Sequence, residues 1–168
     1  MTYPRFLLMT FFLVLFFGTS CSQKKLSDQE LRRQQELLTA DKIRADLQIV
    51  AGIYEGYIQS SSGLNQPVRL NLDVRDVPVV SEGSPDPVLT PKLVGNLRFV
   101  FNEATNEYID APIKAAEFFR TRSTLNIVVS HSQFGDLTIN YIVRDLELTG
   151  NWNAPAVGAS GTSVVHRK

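Results

Sequence analysis

The residue whose placement points to covalent chemistry is Cys21, the only cysteine in the chain. It follows three small residues, Gly18, Thr19 and Ser20, which follow the almost wholly apolar run 6–17. An apolar run of this kind near the start of a chain is typical of an export signal. A lone cysteine in an exported protein has no partner for an internal disulfide, and a free thiol there is a liability. We therefore expect the Cys21 sulfur to carry a covalent modification.

Other side chains that could do acid–base or metal chemistry lack the partners that such chemistry requires. His131 has Asp136 across a turn but no marked nucleophile, so a solvent-exposed turn histidine is the better interpretation, and His166 is interpreted in the same way. The segment 158–161 lacks the final glycine of a nucleophile elbow. One cysteine and two distant histidines do not make a metal site. The sequence predicts no catalytic residue, no metal and no cofactor, and hence a protein that is not an enzyme.

The charge balance bears on the class of partner. Lys and Arg together number 17, as do Asp and Glu, so the formal net charge is zero. A nucleic-acid partner requires a basic field, and we therefore expect none. The apolar fraction of 43% is that of an ordinary globular domain.

Residues 1–20 have the layout of a secretory signal peptide. Arg5 supplies a short positive region, the apolar run follows, and small residues end it. The run is shorter than the roughly 18 residues that a membrane-spanning helix needs. We predict that this segment is removed on export.

The small residues Thr19 and Ser20 before Cys21 resemble the lipobox of bacterial lipoproteins, which signal peptidase II cleaves in front of a lipidated cysteine. Gly18 departs from that pattern, and the same three residues would also suit ordinary secretion with a free thiol. The resemblance implies lipidation of Cys21 and anchoring to a membrane. Ser22, in place of an inner-membrane Asp signal, implies the periplasmic side of the outer membrane within the cell envelope.

Residues 21–48 are predicted to form the lipidated cysteine and a helical tether. Ser27 and Glu30 have the spacing of a capping box, and Leu26 and Leu31 that of a hydrophobic staple. The apolar positions beyond them are sparse. The helix is therefore either a spacer that lifts the domain off the membrane or a surface cap on one end of it. A coiled-coil partner strip is the less favoured alternative, because the heptad pattern does not persist.

Residues 49–168 change to the period of two that is typical of β-strands. The clearest strand places Val68, Leu70 and Leu72 on one face, and further alternating runs follow along the chain. We predict that 110–119 is also a strand, that 78–91 is the longest irregular segment, and that a slip at 144–145 puts Leu146 and Leu148 on the apolar face. About eight strands indicate an all-β antiparallel barrel or sandwich.

Two short motifs in this domain resemble those of calycins, the superfamily of small barrels that includes lipocalins and streptavidin. They are Gly-x-Tyr-x-Gly at 52–56 and Gly-x-Trp at 150–152. The resemblance implies a small β-barrel in which inward aromatic side chains line a cavity for a ligand. The aromatic candidates for ligand binding are Tyr54, Tyr57, Tyr141 and Trp152, and plain core packing is the alternative role for them.

Two classes of function are favoured over a third, an enzyme of the cell envelope, for which the catalytic constellations are missing. The first is an anchored binding module for a small apolar ligand or for an envelope protein. The second is an envelope inhibitor or structural lipoprotein without a ligand cavity. A packed core with a prominent loop would favour a protein partner, and an unfilled cavity would favour a small ligand.

Overall fold

The computed structural model describes residues 27–80, 87–102, 105 and 107–168. The predicted signal peptide, Cys21, Ser22 and Leu26 lie outside these residues. The chain divides into two compact units, of which the first ends at Glu36 and the second is Leu37–Lys168. None of the helices within the described ranges is long and apolar enough to cross a bilayer.

One helix and eight strands make up the described structure. They are α1 (Asp28–Gln48), β1 (Gly52–Ser60), β2 (Asn65–Val79), β3 (Val88–Asn102), β4 (Glu107–Phe119), β5 (Thr124–His131), β6 (Gly135–Arg144), β7 (Glu147–Ala154) and β8 (Ala159–Arg167). Short 3₁₀ turns, Arg120–Arg122 and Pro155–Val157, precede β5 and β8.

The start of α1 has the predicted capping box. The Glu30 backbone N–H donates to Ser27 Oγ at 3.3 Å, and the Ser27 backbone N–H donates to Glu30 Oε2 at 2.9 Å. This reciprocal pair satisfies two donors that a helix N-terminus would otherwise leave unpaired. The capping box is confirmed.

The strands form a closed barrel in which each strand is antiparallel to the next in sequence and β8 returns to pair with β1. The predicted antiparallel barrel of about eight strands is thus confirmed, as is the strand that covers 110–119. Alternation sets the two faces of the wall, since successive side chains of a strand point to opposite sides. Val68, Leu70 and Leu72 are buried inside, while Arg69 and Asn71 are exposed outside.

Three details differ from the sequence prediction. Asp145 has φ of 49°, so the chain turns there, and Leu146 lies exposed in that turn while Leu148 is buried as expected. The alternation of Leu97 and Phe99 predicts that Phe101 shares their apolar face, but Phe101 lies at a β-bulge and is exposed. Pro78 and Pro91 belong to β2 and β3, so the irregular segment is shorter than expected. Each proline lies where its strand is paired on one side only, and a missing N–H is tolerated at such an edge.

The seam between β1 and β8 closes the barrel, and two glycines make it possible. A Cβ at Gly56 would lie 2.0 Å from the Val164 carbonyl oxygen, and one at Gly161 would lie 1.9 Å from the Gln59 carbonyl oxygen. Side chains at these positions would force the two strands apart. The Gly-x-Tyr-x-Gly motif therefore has a structural role in closing the sheet.

The ends of the barrel are also covered. Phe134, in the turn between β5 and β6, packs edge-on against Phe99 with ring centroids 5.5 Å apart. At the opposite end Val50 is fully buried and Leu47, from the last turn of α1, packs against the core. One contiguous apolar cluster fills the space between these ends.

Substitutions on the two faces of β2 test the register. Leu72→Ala removes buried methylenes and leaves a cavity, and should cost about 2–5 kcal/mol in the free energy of unfolding. Asn71→Ala alters an exposed side chain and should change it by no more than about 0.5 kcal/mol. Denaturant melts measure both values, and equal costs would contradict the assignment of inner and outer faces.

A second test concerns the seam. Gly56→Ala overpacks the β1–β8 contact and should cost about 3 kcal/mol or more. Gly63→Ala is the matched control: φ is +89° and the space around it is open, so only backbone strain of about 1–2 kcal/mol is expected. If Gly56→Ala lowers the free energy of unfolding by less than Gly63→Ala does in the same melts, the two strands at the seam are not in close contact at Gly56.

Candidate functional site

The aromatic residues predicted to bind a ligand separate into two groups. Tyr54, Tyr141 and Trp152 point into the barrel and are buried, whereas Tyr57 lies on the outer face of β1 with 54% of its surface exposed. The register explains the split, because Tyr54 and Tyr57 are an odd number of residues apart on one strand.

Each polar atom of the inward group has a partner within the protein. Tyr54 Oη donates to the Val50 carbonyl at 3.0 Å, and Trp152 Nε1 donates to the Gln59 carbonyl at 3.2 Å. Tyr141 Oη and Ser163 Oγ are 2.8 Å apart. Among the described residues no buried side-chain nitrogen or oxygen lacks a hydrogen bond. The inward aromatic side chains are thus packed in the core and hydrogen-bonded within the protein.

Burial is the main influence on the ionisation of Tyr141, whose hydroxyl is hydrogen-bonded to Ser163. Removal from water disfavours the phenolate and raises the pKa of Tyr141 to about 12, although the bond to Ser163 opposes this shift. Burial also raises the pKa of Tyr54. The Ser163 hydroxyl is buried beside a neutral phenol, so a substrate in solvent cannot reach it.

The two histidines and Asp136 lie on the surface. His131 Nδ1 accepts a hydrogen bond from the Gln133 backbone N–H, and its ring stacks on Phe134 with centroids 5.0 Å apart. Asp136 pairs with Lys114, which lowers the Asp136 pKa. His166 lies 3.3 Å from Glu147. Within the described ranges no group of three or more His, Cys, Asp or Glu side chains could hold a metal ion.

Tyr57 belongs to an open groove on the outside of the barrel, with a volume of about 350 Å³. We call it the outer groove. Its lining residues come from β1, β2, β3 and β8: Glu55, Gly56, Tyr57, Pro67, Val68, Arg69, Val100, Val164 and His166.

The apolar floor of the outer groove follows from strand register. Tyr57 is the cross-strand partner of Val164 on β8 and of Pro67 on β2. Val100 on β3 pairs in turn with Tyr108 on β4. Tyr108 is exposed, and the Arg98 guanidinium lies 3.9 Å from the centre of its ring. A row of apolar and aromatic side chains therefore crosses the outer wall, where polar residues are the rule.

A row of charged residues borders this floor. Glu55 accepts hydrogen bonds from Lys168 and Arg69, and these contacts lower the Glu55 pKa. Further along the same row, Arg98 makes two bonds to Asp110, which lower the Asp110 pKa together with a bond from Asn96. Charges of both signs are thus held in fixed positions beside the floor.

The side chains of the outer groove have the chemistry of a contact surface. Exposed aromatic and apolar side chains with a rim of both signs are typical of surfaces that contact another protein. Sequence reasoning expected Tyr57 to face the interior of the barrel, and it missed Pro67, Val164 and the charged rim. The available signal was the apolar Val100, which together with Val94 interrupts the polar face of its strand.

Because Tyr141 is buried, the free energy of unfolding should depend on pH in the alkaline range. Because its folded pKa lies above the unfolded value of 10, its contribution is complete below pH 10 and is lost as pH rises towards about 12. The loss should approach about 1.4 kcal/mol per pH unit in that window. Urea melts at increasing pH should show this slope in the wild type and a shallower one in Tyr141→Phe. Parallel profiles would mean that Tyr141 ionises as freely in the fold as in the unfolded chain.

Comparisons with protein-family models, with curated proteins and with solved structures find no match to this chain.

Proposed function

We propose that the protein is a lipid-anchored envelope protein whose calycin-like barrel is a binding module, and that it engages a protein partner through its outer surface. The anchor rests on Cys21 after its small residues and apolar run. The lipobox resemblance implies the periplasmic side of the outer membrane as the site of attachment. No enzymatic step is part of the proposal.

The barrel architecture supports the calycin-like assignment. Eight antiparallel strands follow one another round a closed barrel, and the Gly-x-Tyr-x-Gly motif lies on the strand that closes it. The Gly-x-Trp motif lies on β7, where Trp152 faces inward. An eight-stranded barrel has an interior that side chains can fill or that can hold one small ligand.

We infer the kind of partner from the contrast between the inner and outer faces of β1, the strand of Tyr57. Inside, Tyr54 and its neighbours form one packed cluster with satisfied polar atoms. Outside, Tyr57 and Val164 expose 54% and 41% of their surfaces at the floor of the outer groove. This contrast favours a protein partner over a small apolar ligand held within the barrel. It is equally compatible with an inhibitory role, which differs only in the identity of the partner.

The anchor is tested by metabolic labelling with a clickable fatty acid. Wild type and Ser22→Ala should be labelled, and Cys21→Ser should not, because the thiol is the site of acylation. Equal labelling of Cys21→Ser would exclude the anchor. Ser22→Asp should move the labelled protein from the outer to the inner membrane fraction if the sorting signal operates as in the lipoproteins it resembles.

The binding surface is tested by capture of the native lipidated protein, with mass spectrometry of the proteins and lipids that copurify. Tyr57→Asp puts a charge on the apolar floor and should abolish capture of the partner. Asn140→Asp puts the same charge on the exposed outer face of β6 and should leave capture intact. Retention of the partner by Tyr57→Asp, or a copurifying lipid and no protein, would contradict the proposed use of the outer groove.

A further inference from the structure

A second open pocket spans the neighbouring strands β1, β8 and β7, and none of the described residues that line it is charged. Its volume is about 480 Å³, which lies within the range of small-molecule sites. Hydroxyl and amide side chains form most of the lining: Gln59, Ser60, Ser61, Asn151, Ser160 and Thr162. We call it the polar pocket. It shares no lining residue with the outer groove.

Strand pairing places three of these side chains next to one another. Thr162 on β8 is the cross-strand partner of Gln59 on β1 and of Asn151 on β7, and all three are exposed. The same row continues beyond the pocket through Asn140 on β6 and Asn126 on β5. At this level the outer wall therefore carries a continuous row of uncharged amide and hydroxyl groups.

The hydrogen-bonding groups of the polar pocket are open to a ligand. Within the described part of the chain, the side chains of Gln59, Asn151 and Thr162 have no hydrogen-bond or ion-pair partner. The charged residues beside the outer groove differ, since Arg98 and Asp110 are bonded to each other. Each amide side chain offers two donors and an acceptor oxygen, and each hydroxyl both donates and accepts.

This chemistry favours a neutral ligand that both donates and accepts hydrogen bonds. An ion would find no opposite charge among the described lining residues. An acyl chain would cover the amide and hydroxyl groups without bonding them, and the loss of their bonds to water would then be uncompensated. A sugar matches the lining, because its hydroxyl and acetamido groups donate and accept in the same way.

The spacing of the row selects the form of the sugar. Neighbouring strands lie about 4.8 Å apart, so Gln59, Thr162 and Asn151 span about 10 Å across the strands. A β-1,4-linked pyranose adds nearly one strand spacing per ring, so a disaccharide unit matches this span. An extended peptide repeats about every 3.4 Å and would not keep step with the row. The wall of the barrel curves, which limits a straight ligand to about this many strands.

We propose that the polar pocket binds a β-1,4-linked glycan of N-acetylhexosamines. The amides of Gln59 and Asn151 donate to the acetamido carbonyls and accept from the acetamido N–H groups, and ring hydroxyls bond to Thr162. In a bacterial envelope the polymer of this chemistry is the glycan strand of the cell wall, a source that rests on the proposed location. The glycan site itself is separate from the protein-binding surface at Tyr57.

Fluorescence of the full-length protein tests the proposal. Trp152 is the only tryptophan in the chain and lines the polar pocket, so its emission reports occupancy. Chitotetraose should change the emission in a saturable way, with a dissociation constant that added salt leaves unchanged. Cellotetraose has hydroxyl groups in place of acetamido groups and should bind about tenfold more weakly. No saturable response to chitotetraose, or equal affinity for cellotetraose, would overturn the proposal.

Matched variants locate the site. Asn151→Leu removes an amide from the pocket and should raise the dissociation constant for chitotetraose about tenfold. Asn71→Leu makes the same change on the exposed outer face of β2 and should leave the constant within about twofold. If Asn151→Leu fails to fold, Thr162→Val exchanges a hydroxyl for a methyl group and should raise the constant about fivefold. Wild-type affinity in the folded pocket variant would refute the site.

Cosedimentation with protein-free cell-wall sacculi tests the source of the glycan and separates this site from the outer groove. Wild type and Tyr57→Asp should both sediment with sacculi, whereas Asn151→Leu should stay in solution. Equal sedimentation of Asn151→Leu, or none of the wild type, would overturn the cell wall as the source. Capture of a protein partner that needs Tyr57 but not Asn151 would leave the proposed function standing whatever the glycan result.

Discussion

Closure of the sheet between β1 and β8 is the constraint on which the other features depend. The seam brings the Gly56 and Gly161 positions so close to the facing carbonyl groups that no side chain fits there. With the seam closed, each strand has one face inside and one outside, and the register fixes which residue lies where. The buried cluster, the satisfied polar pair Tyr141–Ser163 and the exposed row on the outer wall all follow from that assignment.

Closure also divides the roles of the aromatic residues. An eight-stranded barrel is narrow enough for its own side chains to fill, and here Tyr54, Tyr141 and Trp152 do so with their polar atoms bonded. Tyr57, on the opposite face of the same strand as Tyr54, is left for contacts with other molecules. The function that we propose therefore belongs to the outer wall, where the sheet leaves apolar surface accessible.

The sequence was most informative where alternation and turn chemistry were strong. Strict alternation at Val68–Leu72 placed β2 and its faces correctly, and Ser27 with Glu30 marked the start of the helix. The sequence was less informative where the chain departs from regular strand pairing. Leu146 continued an apolar pattern but lies in a turn, since the left-handed Asp145 reverses the chain first. Pro78 and Pro91 indicated a loop but lie at strand edges that have no neighbour on one side.

The outer groove was beyond sequence reasoning because it depends on which strands become neighbours. Pro67 and Val164 are distant in sequence and meet only through the pairing of Tyr57 with both of them. Likewise, no local pattern shows that the pairing of β3 with β4 begins only at Asn96. Periodicity specifies the faces of a strand, whereas the surfaces that bind are properties of the assembled sheet.

The central claim is that the protein acts through its outer wall, and site-specific photocrosslinking in living cells tests it most directly. A benzophenone amino acid at position 57 lies in the outer groove, and the same group at position 140 lies on the exposed face of β6. The account predicts a discrete protein-sized adduct from position 57 and none from position 140. Adducts of equal yield from both positions, or no protein adduct from position 57, would contradict it.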